Sequence, residues 1–461
     1  MITYIKIDGF KSFQNFEIEF TPLTVIAGTN ASGKSNLFDA LKLLSNLAES
    51  DKIQTAFRKE QRGEMYELFT QYNENTYASE MDFAVEMLVN KDIRDDWGGE
   101  ATLKYTRLRY ELKIQRLINE TGMETFKVVH EKLVNLKHQE DKWIKTISQN
   151  RDFWRPKVSA GKRGIPYIYT DVIEGKPTVI VPQDGVKGGR MHLLENATRT
   201  VLSSVDSVDF RHVLAAKEEM KSWRFLQLNP KDLRQPTSKR TGEDVISSSG
   251  QNLAASLFRI CKDDNSSLLE ISRKLNNIFP NFTEVLIKDD DENKQYILSL
   301  KDINGIEYTS RVLSDGTLRL LALLVLEQDI KCAGLLCFEE PENGIHPFKI
   351  KAIVELLKNL TTNFADTEIP LRQVIANTHS SHFVYEMYNK LSQDKNTSIQ
   401  FTQTVDRIVQ IESNKKCKLQ VSRVMPVKLD IELPFAMSEQ DEKIPVSILA
   451  EYLNTKKGAL L

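Results

Sequence analysis

The sequence predicts an α/β fold organised on a phosphate-binding loop, and three observations carry that expectation. An apolar run, Leu23-Thr-Val-Ile-Ala27, leads directly into Gly28-Thr-Asn-Ala-Ser-Gly33-Lys34-Ser35. An amphipathic helix follows, with Leu37, Leu41, Leu44 and Ala48 on one face at helical spacing. Far along the chain, Gly334-Leu-Leu-Cys-Phe338 reads as a strand buried on both faces of a parallel sheet, and it ends in the paired carboxylates Glu339 and Glu340.

The glycines at the two ends of the loop let the backbone turn tightly, so that its N–H groups and the helix N-terminus point at phosphate oxygens. Lys34 adds a point charge and Ser35 offers a hydroxyl to Mg²⁺. Upstream, residues 2–8 and 14–20 alternate as an antiparallel pair around Asp8-Gly-Phe-Lys-Ser-Phe13. Residues 51–75 are polar and expected to be irregular, with Arg58 and Arg62 as solvated side chains. Strands are predicted at 80–88, 101–117 and 125–134. In the second of these, Leu108, Tyr110, Leu112 and Ile114 alternate with Arg107, Arg109, Glu111, Lys113 and Gln115, which predicts one buried face and one wet, mainly basic face.

Residues 136–245 are the least patterned and read as a mixed, largely helical insertion containing Trp143, Trp154 and the loop 160–164. Between 101 and 165 basic side chains outnumber acidic ones by roughly eight, which leaves a nucleic-acid contact, a solvated face and a subunit interface all open. Sustained heptads are absent, so no long coiled coil is expected. Helices are predicted at 208–222, 252–261 and 268–278, and a meander at 283–287, 295–300 and 307–311.

Leu313-Ser314-Asp315-Gly316-Thr317 opens a long apolar helix at 318–330, and a serine and glycine at a helix start form an anion site by the physics of the phosphate loop. Glu339 and Glu340 at a strand end need a cation to offset them, and Mg²⁺ is the natural one. A helix at 348–360 precedes Val374-Ile-Ala-Asn-Thr-His379-Ser-Ser-His382; strands near 400–411 and 418–432 and a helix at 445–453 follow. The chain of 461 residues suits two or three subdomains, and its net charge of −2 excludes a general polycation. Four dispersed cysteines without metal spacing fit a reducing cytoplasm, and neither a signal pattern nor a bilayer-length apolar run is present.

Ile7-Asp-Gly-Phe-Lys-Ser-Phe13, a short strand and then the run from Gly28 to Asn36 resemble the opening of the ATPase heads of RecF and SMC-like proteins. The resemblance implies an ABC-type P-loop head with an antiparallel β subdomain, in which two protomers sandwich ATP and Mg²⁺. It implies that Gly28, Asn30, Ser32, Gly33, Lys34, Ser35 and Asn36 hold the nucleotide. Leu313 to Thr317 resembles the ABC signature, whose Ser314 and Gly316 then meet the γ-phosphate on the opposite protomer; Asp315 and Thr317 depart from Leu-Ser-Gly-Gly-Gln. By resemblance to Walker B, Glu339 stands where aspartate usually holds the metal's water shell and Glu340 is the general base. Asn343 to His346 occupy the D-loop, and His379, rather than His382, resembles the switch histidine.

The expected division is 1–135 and 246–461 as the two halves of the head, with 136–245 between them. Two strings, Trp223 to Arg234 and Gly250 to Leu257, resemble connecting elements of bacterial "predicted ATPases" with RecF-like heads. Three roles follow from the resemblance. The first is the ATPase subunit of an anti-phage system like Septu or PARIS, a cytoplasmic homo-oligomer that assembles or restrains a separate nuclease, of the HNH type, or a toxin. The second is a RecF-like DNA clamp in repair, for which the basic sheet face is the support. The third is a scaffold with structural ATP and negligible hydrolysis.

Overall fold

The computed structural model describes residues 1–59, 63–147, 149–156, 165–184, 189–391, 394–410, 416–428 and 444–445. Arg62, the loop 160–164 and the helix expected at 445–453, apart from its first residue, lie outside them. The molecule is built on one sheet whose strands run in the order Arg224–Leu226, Gly334–Glu339, Arg372–Thr378, Leu23–Gly28, Thr397–Gln410, Lys416–Lys428 and Ile444–Pro445. The first five are parallel to one another, and Lys416–Lys428 turns back antiparallel. All six residues of Leu23–Gly28 and all seven of Arg372–Thr378 are buried; the first reads as a largely apolar run, while the second keeps an apolar centre, Val374 to Ala376, between buried polar ends.

The period of two along each strand splits its side chains between two cores. Ile26, Cys337 and Ile375 enter one core, and Val25, Leu336 and Ala376 the other. The first core lies under a five-stranded antiparallel sheet ordered Glu124–Asn135, Arg107–Ile118, Glu80–Leu88, Ile2–Asp8 and Phe16–Glu19. The helix Lys34–Glu49 fills the space between the sheets, with the helix Arg211–Lys221 packed beside it. The second core holds the helices Leu253–Asp263, Asn265–Ile278, Asp315–Gln328 and Ile350–Asn359, together with the meander Phe282–Asp290, Gln295–Asp302 and Glu307–Thr309.

Three stretches differ from the sequence expectation. Residues 51–75 are not irregular throughout: Ile53–Arg58 is helical because Ile53 and Phe57 share a face and are both buried. Residues 136–245 mix both types, with a three-stranded sheet at Tyr169–Ile173, Lys176–Pro182 and Gly189–Leu193; the strand Arg224–Leu226 joins the central sheet and Thr237–Ser238 pairs with Gln295–Asp302. The outward face of the antiparallel sheet is wet but not a basic patch. Arg109 pairs with Glu86 and Glu111 at 2.9 and 2.7 Å, and Lys113 pairs with Asp82 at 3.0 Å. Arg107 is buried against Asp141 at 3.0 Å.

Both tryptophans expected in the insertion do packing work. Trp154 donates to the carbonyl of Phe364 at 3.0 Å and Trp143 to that of Phe20 at 2.6 Å. Among the described residues the longest helix is Lys34–Glu49, of 16 residues, and no helix is long and apolar enough to cross a membrane.

Candidate active site

Parallel strands that end at one edge bring distant residues to one place. The registers Glu339 opposite Asn377, Thr378 opposite Ala27 and Thr402 opposite Gly28 put the acidic pair, the histidine and the phosphate loop at the same edge of the sheet.

The loop is held from behind by the two strands after it in the sheet. Ser32 Oγ and Thr402 Oγ1 are 2.8 Å apart, and Thr404 donates to the carbonyl of Ala31 at 3.3 Å. Gly33 sits at φ +98°, where a Cβ would come 2.0 Å from Ser422 Oγ, so both its backbone conformation and its surroundings demand glycine. Asn36 donates to Ser12 Oγ at 2.8 Å, and Ser12 Oγ lies 2.7 Å from Ser422 Oγ. Through these contacts the side chains of Ser32 and Asn36 brace the loop. Asn30 is exposed at its tip. Lys34 Nζ donates to the carbonyls of Gly28 and Thr29, each at 2.8 Å, from a buried position across the loop.

Ser35, Glu339 and Glu340 line one cavity of about 300 Å³ together with Gln227, Arg319 and Asn343. Glu340 has φ +47°, a conformation unfavourable for a residue with a Cβ. Its N–H donates to Asn377 Oδ1 at 3.0 Å, which pins the turn. The carboxylate it so presents lies 2.8 Å from His379 Nδ1. His382 instead sits 3.3 Å from the carbonyl of Pro347. Behind the pair, Ser380 N–H donates to Thr378 Oγ1, whose O–H donates in turn to Glu342 Oε1. Burial pushes the Glu342 carboxyl above its ordinary value, and its Oε2 has no partner among the described residues.

Ser314 caps the helix Asp315–Gln328 by accepting from Thr317 N at 3.2 Å. Neither Ser314 nor Gly316 lines the cavity; Gly316 packs under the Gly344 carbonyl, where a Cβ would meet it at 3.3 Å. The carboxylate of Asp315, which would repel an anion at this helix start, is turned onto Arg234.

Sequence reasoning missed Arg319, Asn377, Thr402 and Ser422. Arg319 donates to the Asn343 carbonyl, while its Nε is buried without a partner among the described residues. A lone arginine inside the run Leu318 to Leu326 was a readable signal, as was Asn377 in an apolar strand. Thr402 and Ser422 carry no local mark.

The residues fit a magnesium nucleotide. The Ser35 hydroxyl at the end of the phosphate loop shares a cavity with two carboxylates, and among the described residues buried polar atoms of Arg319, which lines it, and of the nearby Glu342 have no partner. Among the described residues no group of three or more His, Cys, Asp or Glu side chains converges as a metal cage. The phosphate loop, the helix that opens after Ser314, the acidic strand end and the histidine follow one another in the order that the resemblance to ABC-type heads implies.

No curated protein sequence matches the chain. Among solved structures, an SMC head bound to the C-winged helix domain of ScpA is 16% identical, with 93% of this chain and 98% of that one covered, at a TM-score of 0.48. The SMC head domain from Thermotoga maritima is 13% identical over 93% of this chain and 99% of that one, at 0.36. A Pyrococcus furiosus SMC head with an extended coiled coil, bound to the C-terminal domain of ScpA, is 14% identical over 92% and 96%, at 0.41. The family model described as "AAA ATPase domain" matches residues 1–384, most of the length, and the chain belongs to that ATPase family.

Proposed function

We propose that this ATPase hydrolyses ATP slowly at a site completed by a second copy, and that the resulting association assembles or restrains a separate nuclease, of the HNH class, or a toxin in an anti-phage complex. The observation that carries the catalytic half is the Glu340–His379 contact beside Ser35 and Glu339. Bound Mg²⁺ neutralises charge that develops on the transferred phosphoryl group. Ser35 and Glu339, which line the same cavity, would hold the cation. Gly28, Gly33 and Lys34 hold the phosphates through backbone N–H groups and one ammonium. The Glu340 carboxylate takes the proton of the attacking water, and His379, 2.8 Å from its Oε1, positions it. Ser314 and Gly316, which lie outside this cavity, serve the site of the other copy.

The pairing of Arg109 and Lys113 with carboxylates weighs against the DNA clamp, since that reading needed their charge free. Resemblance to Septu and PARIS ATPases supports the defence role. The test is the mass and turnover of wild type, Lys34→Ala and Glu340→Gln with Mg-ATP. Lys34→Ala should lose nucleotide binding, whereas Glu340→Gln should keep it, fall about 10²–10⁴-fold in kcat and accumulate as a larger assembly. Equal ATP affinity in wild type and Lys34→Ala overturns the site. A mass indifferent to ATP in Glu340→Gln overturns nucleotide-driven association.

A further inference from the structure

We propose that a cavity at the opposite edge of the central sheet receives an arginine side chain, flanked by an aliphatic one, from a separate protein subunit. This rests on the reading above, in which such a subunit exists, and it names where that subunit docks. The cavity measures about 410 Å³. Its walls are the C-terminal ends of the helices Leu253–Asp263, Asp315–Gln328 and Ile350–Asn359, with Arg372 at the start of its strand. Three helix C-termini face this space against one N-terminus, that of Asn265–Ile278, whose positive end is already met by its own cap Asp264, so the backbone leaves the cavity net negative.

The side chains add to that potential. Asp263, Asp264, Glu327 and Asp366 face Arg259 and Arg372, and both arginines are already engaged. Arg372 donates to the carbonyls of Leu326 at 3.1 Å and Asp329 at 2.6 Å; Arg259 donates to Asp329 Oδ2 at 2.7 Å. The Glu327 side chain is 9% exposed, and its Oε1 lies 2.8 Å from Lys274 Nζ. Its Oε2 is buried and has no partner among the described residues. A buried acceptor of this kind is an unmet demand for a donor, and a guanidinium supplies several in a fixed fork. At the rim, Ile330 and Ile369 are 67% and 51% exposed, so the incoming segment meets apolar surface on either side of its charge.

The position gives the contact a consequence. The helix that ends at this cavity begins at Ser314 and Gly316, about 21 Å away along its axis, and the strand that starts with Arg372 ends beside His379. Arg372 already ties the two elements together at the cavity floor through the carbonyls it holds. A subunit seated here rests on the far ends of both elements that answer to nucleotide, so its affinity and that of ATP are coupled reciprocally.

The experiment is a titration of the full chain with N-acetyl-arginine amide, followed by the δ-methyl signals of Ile330 and Ile369, assigned through Ile→Leu variants. Both signals should shift, and the uncharged citrulline analogue should leave them unmoved. Glu327→Gln should weaken binding by at least about tenfold, and Ile330→Ser, at an exposed position that does not threaten folding, several-fold. Equal binding of the citrulline analogue, or full affinity in both variants, overturns the proposal. Lys34→Ala, run in parallel, should lose ATP and keep the shifts, so that failure of the nucleotide reading and failure of this one are read separately. A fall in the mass of the unliganded chain on adding the amide would assign the cavity to a second copy and would likewise overturn a separate-subunit occupant.

Discussion

Glu342 shows how a buried carboxyl is accommodated at the edge of a charged site. Its pKa is raised by burial, with the nearby Glu340 charge adding to the effect and the Thr378 hydroxyl opposing it. The folded state therefore holds that proton more tightly than the unfolded chain. Stability from this group is complete below the ordinary carboxylate range and is lost as pH rises through the folded pKa. Glu342→Gln keeps the acceptor for Thr378 and removes the titration. The variant should gain in thermal midpoint over wild type as pH rises from about 4 to 8, with the gap closing at the acid end; a gap independent of pH would contradict the assignment. At this scale the phosphate loop and the acidic pair were legible because their chemistry is local in sequence. The partners were not. Glu340 and His379 meet across 39 residues, Arg234 and Asp315 across 81, and no local pattern announces either contact.

The phosphate loop is clamped between its own helix and the strands Thr397–Gln410 and Lys416–Lys428. Gly33→Ala sets a methyl against Ser422 in a backbone conformation that costs about 1–3 kcal/mol for a residue with a Cβ, and ATP affinity should fall with it. Adding Ser422→Gly removes the collision and leaves the backbone strain. A double-mutant cycle by thermal unfolding should give a favourable coupling of about 0.5–3 kcal/mol. Additive effects would mean that the clamp yields freely. Helices and strands with a clean period were legible, and Asp315–Gln328, Arg372–Thr378 and Glu124–Asn135 lie close to where periodicity puts them. The helix Ile53–Arg58 was hidden because its polar neighbours outweigh three buried apolar side chains.

The two cores on either side of one sheet make the head a continuous body. Its antiparallel layer presents charges that compensate one another strand by strand, which linear counting of lysines and arginines between 101 and 165 could not show. Cross-strand neighbours such as Asp82 and Lys113 are distant in sequence and opposite in register. A labelled duplex should accordingly bind no tighter than the weak nonspecific range, about 10⁻⁴–10⁻⁶ M at physiological salt, by fluorescence anisotropy. Tighter, steeply salt-dependent binding would restore the clamp.

The seating of the strand Leu23–Gly28 also bears on how the molecule is made. Both of its sheet neighbours, Arg372–Thr378 and Thr397–Gln410, leave the ribosome roughly 350 residues after it. At about 5–20 residues per second that is a wait of about 20–70 s, during which an apolar strand and its loop are synthesised but have no edge to join. The phosphate loop therefore takes its folded shape late in synthesis, when the strands that seat it have been translated.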